Sequence, residues 1–359
     1  MIYLFISIDV EAPHGNNPVD QMIWGSINGE RFGIKKIMDI CEKYNVKSSF
    51  FLDVYEARFY GVHAMKKVAL EIKNRGHEVE LHTHPSWWTE DPRDSFSLRR
   101  IKKTRSMFDP KRNWMHQYSL VEQVKILEVG KSLIEEWTGT SPIAHRAGGY
   151  GINKETFTAL KNVEIPIDSS ICHGWLNCKL DKITVNKIMS ITNVIEVPVT
   201  TMEIRPFITF GPFAMYSKNR IYKTDIERLS LENLFSFAHQ AKDLNISIMT
   251  LTLHSHSFIT FSPNFSDVEL NKENLSKFEL FLNSITQNKH FRCMTFKEFY
   301  AEYSVFPSKF NGSNEIPYVE RKVKLKEVLG SFYKKNLQKQ KIDPKLKKYW
   351  EQFSQEKTL

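Results

Sequence analysis

Two histidines, His82 and His84, stand one residue apart in the segment HEVELHTHP, at the end of an apolar alternation. Successive side chains of a strand point to opposite faces, so Glu80, His82 and His84 share one face and Val79, Leu81 and Thr83 the other. Two imidazoles side by side can hold a metal ion. They equally suit a polar strand end that meets water. Other residues of reactive type fall in similar places: Asp9 closes the run YLFISID, Arg146 lies in PIAHRAGG, Asp168 in IPIDSSI, and His254 directly follows SIMTLTL. Each sits at or just beyond the end of a strand-like run. A carboxylate can take a proton, an imidazole can give one, and a guanidinium can orient a carboxylate.

The elements that would position these residues alternate between strand and helix patterns. Strands are expected at 3–9, 46–53, 77–84, 142–149, 165–171, 193–199 and 247–254. Helices are expected at 31–45, 64–76, 119–139, near 153–163 and 227–243, and at 267–288. The helix at 119–139 opens on a capping box, Ser119 with Glu122, and closes at Gly139. Repeated β–α units predict mostly parallel strands covered by helices, as a barrel or an open doubly wound sheet. In both, chemistry gathers at the carboxyl ends of the strands. The chain carries no internal repeat and no low-complexity tract.

A chain of 359 residues, 41% hydrophobic, can bury a large core. No apolar run approaches the roughly 18 residues a membrane span needs. The start, Met1 followed by IYLFISID, has no basic region and no small-residue cleavage site, which predicts a cytoplasmic protein. Cys41, Cys172, Cys178 and Cys293 are scattered and suit reduced thiols; CHGWLNC around His173 reads as a turn rather than a metal site. Of the net charge of +9, residues 306–359 carry +7, with 13 Lys and Arg against 6 Asp and Glu. The nearly neutral remainder argues against nucleic acid as a partner. After the linker-like SKFNGSNEIP, the segment RKVKLKEVLGSFYKKNLQKQ reads as a basic helix with Val323, Val328, Leu329 and Phe332 on one face. Such a helix either packs on the main domain or makes a peripheral contact with anionic membrane at the inner face.

Taken in order, these segments resemble the polysaccharide deacetylases (NodB-homology, carbohydrate esterase family 4), over roughly residues 1–300. SIDVEA stands where that family has its aspartate pair, GHEVELHTHP at its histidine motif, HRAGGYG at its arginine motif, DSS at its fourth motif and LTLHSHS at its terminal histidine motif. The resemblance implies a distorted (β/α) barrel over residues 1–305, with 306–359 as a basic helical extension. It implies hydrolysis of an N-acyl group from an amino sugar with a divalent metal, usually zinc. Asp9 would be the general base, His254 the general acid, Arg146 the partner that orients Asp9, and Asp168 the residue that holds Arg146. The backbone at Gly148, Gly149 and Tyr150 would approach the substrate closely.

Departures from the family pattern fall at the metal. Val10 stands in place of the second aspartate of the pair and cannot ligate; Glu11 follows, and the resemblance to related branches that space their acids as D-x-D implies Glu11 as the carboxylate ligand beside His82 and His84. The two histidines are one residue apart instead of three. Trp87 and Trp88 offer faces for stacking a sugar, Tyr150 and His256 are further substrate-binding candidates, His116 is an outside candidate for the metal, and His14 is a candidate for lining the cleft. The substrate implied is an acylated amino sugar of a glycan, lipid-linked or nucleotide-linked precursor in surface polysaccharide synthesis. Two alternatives stand beside it: an inactive sugar-binding protein of the same fold, and an amidase acting on a small non-sugar amide.

Overall fold

The computed structural model describes residues 1–12, 17–85, 112–210, 213–216, 218–262 and 267–322. Its main sheet is built on β1 (Ile2–Val10), nine residues buried throughout. Such an unbroken run fits a central strand covered on both faces. In chain order follow β2 (Ser49–Asp53), β3 (Glu78–Thr83), β4 (Ala144–Ala147), β5 (Ile167–Asp168), β6 (Met189–Ile191), β7 (Val194–Glu196), β8 (Ile248–His254) and β9 (Phe291–Cys293). The spatial order is β8-β1-β2-β3-β4-β5-β7-β6, with β9 also on β1. All pairings except β6 with β7 are parallel.

Among the described residues, seven α-helices of nine residues or more accompany the strands: α1 (Ile34–Lys43), α2 (Val62–Asn74), α3 (Leu120–Thr138), α4 (Lys154–Asn162), α5 (Leu231–Asp243), α6 (Lys272–Thr286) and α7 (Phe296–Val305). α3 carries both halves of the expected capping box, and Gly139 ends it at φ 69°. α1 starts three residues later than the apolar spacing predicts, directly after Gly33.

The sheet curls until its two ends nearly meet, and a short seam bridges them. Thr224 N–H donates to Thr200 O, and Thr252 N–H to Thr224 O, each at 2.9 Å. Hydroxyls complete the joint: Thr224 Oγ1 lies 2.7 Å from both Thr200 Oγ1 and Thr250 O, and Thr250 Oγ1 donates to Pro198 O at 3.0 Å. This is the distorted barrel the sequence resemblance implied.

One expectation is revised. The linker-like 308–317 is packed at its start, because Phe310 is buried and stacks on Tyr3 with ring centroids 4.4 Å apart. Its ring joins a cluster with Phe5, Phe296 and Phe299. The first compact unit therefore runs to Pro317, comprising 1–202 and 221–317. A second unit holds 203–220 and the chain from Tyr318 onward. In it Glu203–Phe207 pairs in parallel with Tyr318–Lys322, and the Arg205 guanidinium stacks on Tyr318 at 3.6 Å. The basic helix expected beyond residue 322 lies outside the described residues, as do Trp87, Trp88 and His14.

Candidate active site and metal centre

Parallel register brings the reactive residues to one level. Asp9 at the end of β1 aligns with His254 at the end of β8, and Asp53 at the end of β2 aligns with His82 near the end of β3. His82 aligns in turn with Arg146 on β4. One end of the sheet therefore gathers a base candidate, an acid candidate, an arginine and the histidine pair.

Glu11, His82 and His84 converge, with one ligand atom from each lying within 4.8 Å of the others. Glu11 Oε2 is 2.7 Å from His84 Nε2 and 3.6 Å from His82 Nε2. The outer nitrogens are already committed: His82 Nδ1 lies 2.8 Å from Arg146 O, and His84 Nδ1 lies 3.0 Å from Asn113 Oδ1. Both partners are carbonyl oxygens and only accept, so each Nδ1 carries the hydrogen and each Nε2 faces the centre. Hydrogen bonds of this kind commonly fix metal-ligating histidines. Two imidazole nitrogens and a carboxylate oxygen suit zinc or a similar divalent ion. Electrostatics agree: despite burial, the imidazoles of His84 and His82 hold the Glu11 carboxyl well below the usual range. Burial disfavours a charged His84, yet the Glu11 carboxylate beside it raises its pKa to about 10.

Close approach is built into the backbone. A Cβ on Gly148 would lie 2.4 Å from His84 Cε1, so only glycine leaves room for that ring. Gly149 follows at φ 57°, in the left-handed region.

The base candidate is held by a buried arginine. Arg146, with no exposed surface, donates from Nη1 to Asp9 Oδ1 at 2.7 Å and to Ser7 Oγ at 3.1 Å. Its Nε and Nη2 each donate at 3.0 Å, to Ser169 O and Ser169 Oγ, and its guanidinium lies 4.2 Å over the Phe51 ring. Burial works against ionisation of Asp9, but Arg146, followed by His82, His254 and Lys223, holds its carboxyl below the usual range.

Asp168 does not hold Arg146. It aligns with His145, the neighbour of Arg146, and neighbours on a strand face opposite ways. Its Oδ1 accepts from His145 Nδ1 at 2.7 Å and from Ser170 Oγ at 2.9 Å, while His145 Nε2 meets Thr83 Oγ1 at 2.9 Å. Ser169 takes the place expected of Asp168. On the same face, Glu196 aligns with Asp168, and burial, then the Asp168 charge, pushes its carboxyl well up.

His254 is paired from behind. Its Nδ1 lies 2.7 Å from Glu227 Oε1, which also accepts from Ser257 Oγ at 2.7 Å. Nε2 points the other way, 3.7 Å from Glu11 Oε1. Burial lowers the pKa of the imidazole, but Glu227 outweighs it, and the net direction is up. His256 stacks on His254 with ring centroids 5.2 Å apart, so it backs the imidazole rather than replacing it. Tyr150 is buried, and its Oη accepts from Lys223 Nζ at 3.1 Å. Its side chain is therefore turned inward rather than presented as a stacking face. His116 lies parallel to Trp114 at 5.7 Å, and its N–H donates to Gly151 O at 3.1 Å.

No model of a known protein family matches the sequence, and no curated protein matches it. Solved structures do. A protein of Mycobacterium smegmatis classed as a polysaccharide deacetylase is 14% identical, with a TM-score of 0.52, over 87% of this chain and 92% of that one. The chain has the polysaccharide deacetylase fold. A 4-alpha-glucanotransferase of Thermococcus litoralis is 11% identical at a TM-score of 0.50, over 84% of this chain and 40% of its own. A peptidoglycan deacetylase variant of Bacillus subtilis is 12% identical at 0.41, over 86% and 94%. Within this deacetylase-type barrel, Glu227, Ser169, Asn113 and Lys223 are site residues that the sequence motifs did not indicate.

Proposed function

We propose that the chain is a metal-dependent deacylase that removes an N-acyl group, acetyl in the simplest case, from an amino sugar of a glycan, lipid-linked or nucleotide-linked precursor. The observation that carries the reading is the convergence of Glu11, His82 and His84 between two separately oriented proton-transfer groups, Asp9 with Arg146 and His254 with Glu227. A mere sugar-binding cleft has no use for that combination. A divalent cation held by Glu11, His82 and His84 would polarise the amide carbonyl and acidify a water. Asp9, fixed by Arg146, takes the proton of the attacking water. His254, with Glu227 at Nδ1, gives a proton to the departing nitrogen from Nε2. An amide needs that acid because its leaving amine is a poor one. The reading also places the protein in the cytoplasm, with the charge of 306–359 supporting contact with anionic lipid.

Purified protein loaded with zinc tests this. One zinc per chain and acetate release from tri-N-acetylchitotriose, or from its lipid- or nucleotide-linked counterparts, are expected. His84→Ala should lose both together. Bound zinc with no release from any of these would refute the deacylase reading. Sugar binding without zinc would favour the inactive sugar-binding protein.

A further inference from the structure

Lys223 is 5% exposed, and its Nζ carries three donor hydrogens. Among the described residues its one hydrogen-bond partner is Tyr150 Oη, at 3.1 Å; the Asp225 carboxylate stands off at 3.9 Å. A buried ammonium in that state is costly unless something else accepts its remaining hydrogens. Its place in the barrel suggests what. Asp225 bridges to Thr252, two residues before His254, so Lys223 enters the wall beneath the level of Asp9 and His254. Lys223 and Asp225 share a face, as residues two apart in extended chain do. The partner of Lys223, Tyr150, stands two residues after Gly148, whose missing Cβ leaves room for the His84 ring, and the deacylase reading puts the reacting bond at that end of the sheet. The Lys223 side chain keeps 6% of its surface open, close to the 7% of Asp9.

We infer that Lys223 Nζ, steadied by Tyr150 Oη, receives an anionic oxygen of the substrate. Two sources share that chemistry: the oxyanion that develops on the acyl carbon, and a carboxylate or phosphate fixed on the sugar. An oxyanion draws most on such a donor, because its charge appears only as the tetrahedral centre forms. The inference rests on the deacylase reading for the identity of the oxygen, but not for the presence of an anion site.

The test uses the zinc-loaded full chain and acetate, the simplest oxyanion-bearing product, as the calorimetric probe. Lys223→Met is expected to weaken acetate about 10- to 100-fold, the worth of one charge-assisted hydrogen bond. Zinc stoichiometry should stay unchanged. On neutral tri-N-acetylchitotriose the variant should lose kcat with little change in KM, which marks the acyl oxyanion. A loss confined to KM on substrates bearing carboxylate or phosphate supports the inference with the anion on the sugar. Unchanged acetate affinity together with unchanged kinetics on both substrate types would overturn it. Lys223→Gln, which can keep the Tyr150 contact, replaces the methionine variant if that one does not fold. If wild type releases no acetate from any sugar, the deacylase reading falls, and the acetate calorimetry still decides Lys223.

Discussion

Removing the guanidinium of Arg146 isolates the electrostatic support of the base candidate. Arg146→Met keeps most of the stem but deletes the donor to Asp9 Oδ1 at 2.7 Å and those to Ser7 and Ser169. Asp9 is 5% exposed and would lose its hydrogen-bonded counter-charge. Breaking such a pair from one side typically costs about 3–5 kcal/mol, a large fraction of the roughly 5–15 kcal/mol that holds a folded domain together. Asp9→Asn strands the arginine instead and should cost about 3 kcal/mol, since Ser7 and Ser169 still accept from it. The double variant leaves no unpaired charge, so its total should fall short of the summed single losses by about 2–3 kcal/mol. Urea denaturation of the four proteins measures this directly, and kcat on the four reports whether catalysis couples in the same way. Additivity within about 0.5 kcal/mol would mean that the two residues are independent and that Arg146 does not orient the base.

Glu227→Gln should lower kcat about tenfold or more and move the alkaline limb of the pH–rate profile to lower pH. The carboxylate holds the His254 proton, and that proton must be present when the amine leaves; an unmoved limb would separate Glu227 from the acid. Gly148→Ala puts a Cβ 2.4 Å from His84 Cε1, so zinc affinity should fall by about tenfold or more, and an unchanged zinc titration of the folded variant would contradict the packing. Glu196→Gln tests the buried face behind the site. The folded-state pKa of Glu196 lies well above its usual 4.5, so its contribution to stability is present below that value and is lost as pH rises through the folded pKa. Each pKa unit is worth about 1.4 kcal/mol. Melting curves across pH should therefore be flatter for the variant, with the gain at pH 8, and parallel curves would refute the assignment.

The residues legible in the sequence are those that end strong apolar runs. Asp9 after YLFIS, the histidines after HEVEL, and His254 after SIMTLTL all stand where alternation and length place them. Glu11 was readable because Val10 has no donor atom and Glu11 shares a side of the strand end with Asp9, two residues away. Lys223 ends a short extended run that carries no period, and Glu227 was read as the first residue of a helix that begins only at Leu231, so nothing local marked either as a site residue. Arg146 and its pairing with Asp9 were legible, but the residue that holds Arg146 from the other side was not. Whether Asp168 or Ser169 faces it depends on the register of a two-residue strand, and one step reverses every side chain. The threefold contact of Phe310 with Tyr3, Phe299 and Tyr303 escaped because a lone aromatic among Lys, Asn and Ser looks like loop chemistry.

The threonine seam gives the barrel a circumference that is not set by strand count alone. Elsewhere the ring is held by ladders that must shift register as a whole, whereas at Thr200, Thr224 and Thr252 it is joined by single backbone hydrogen bonds, reinforced by the hydroxyls of Thr200, Thr224 and Thr250. A joint of that kind can loosen locally without shearing its neighbours, so amide exchange at Thr224 and Thr252 should run ahead of exchange along Ile2–Val10. It is also where the first compact unit is interrupted in sequence, between Met202 and Ile221.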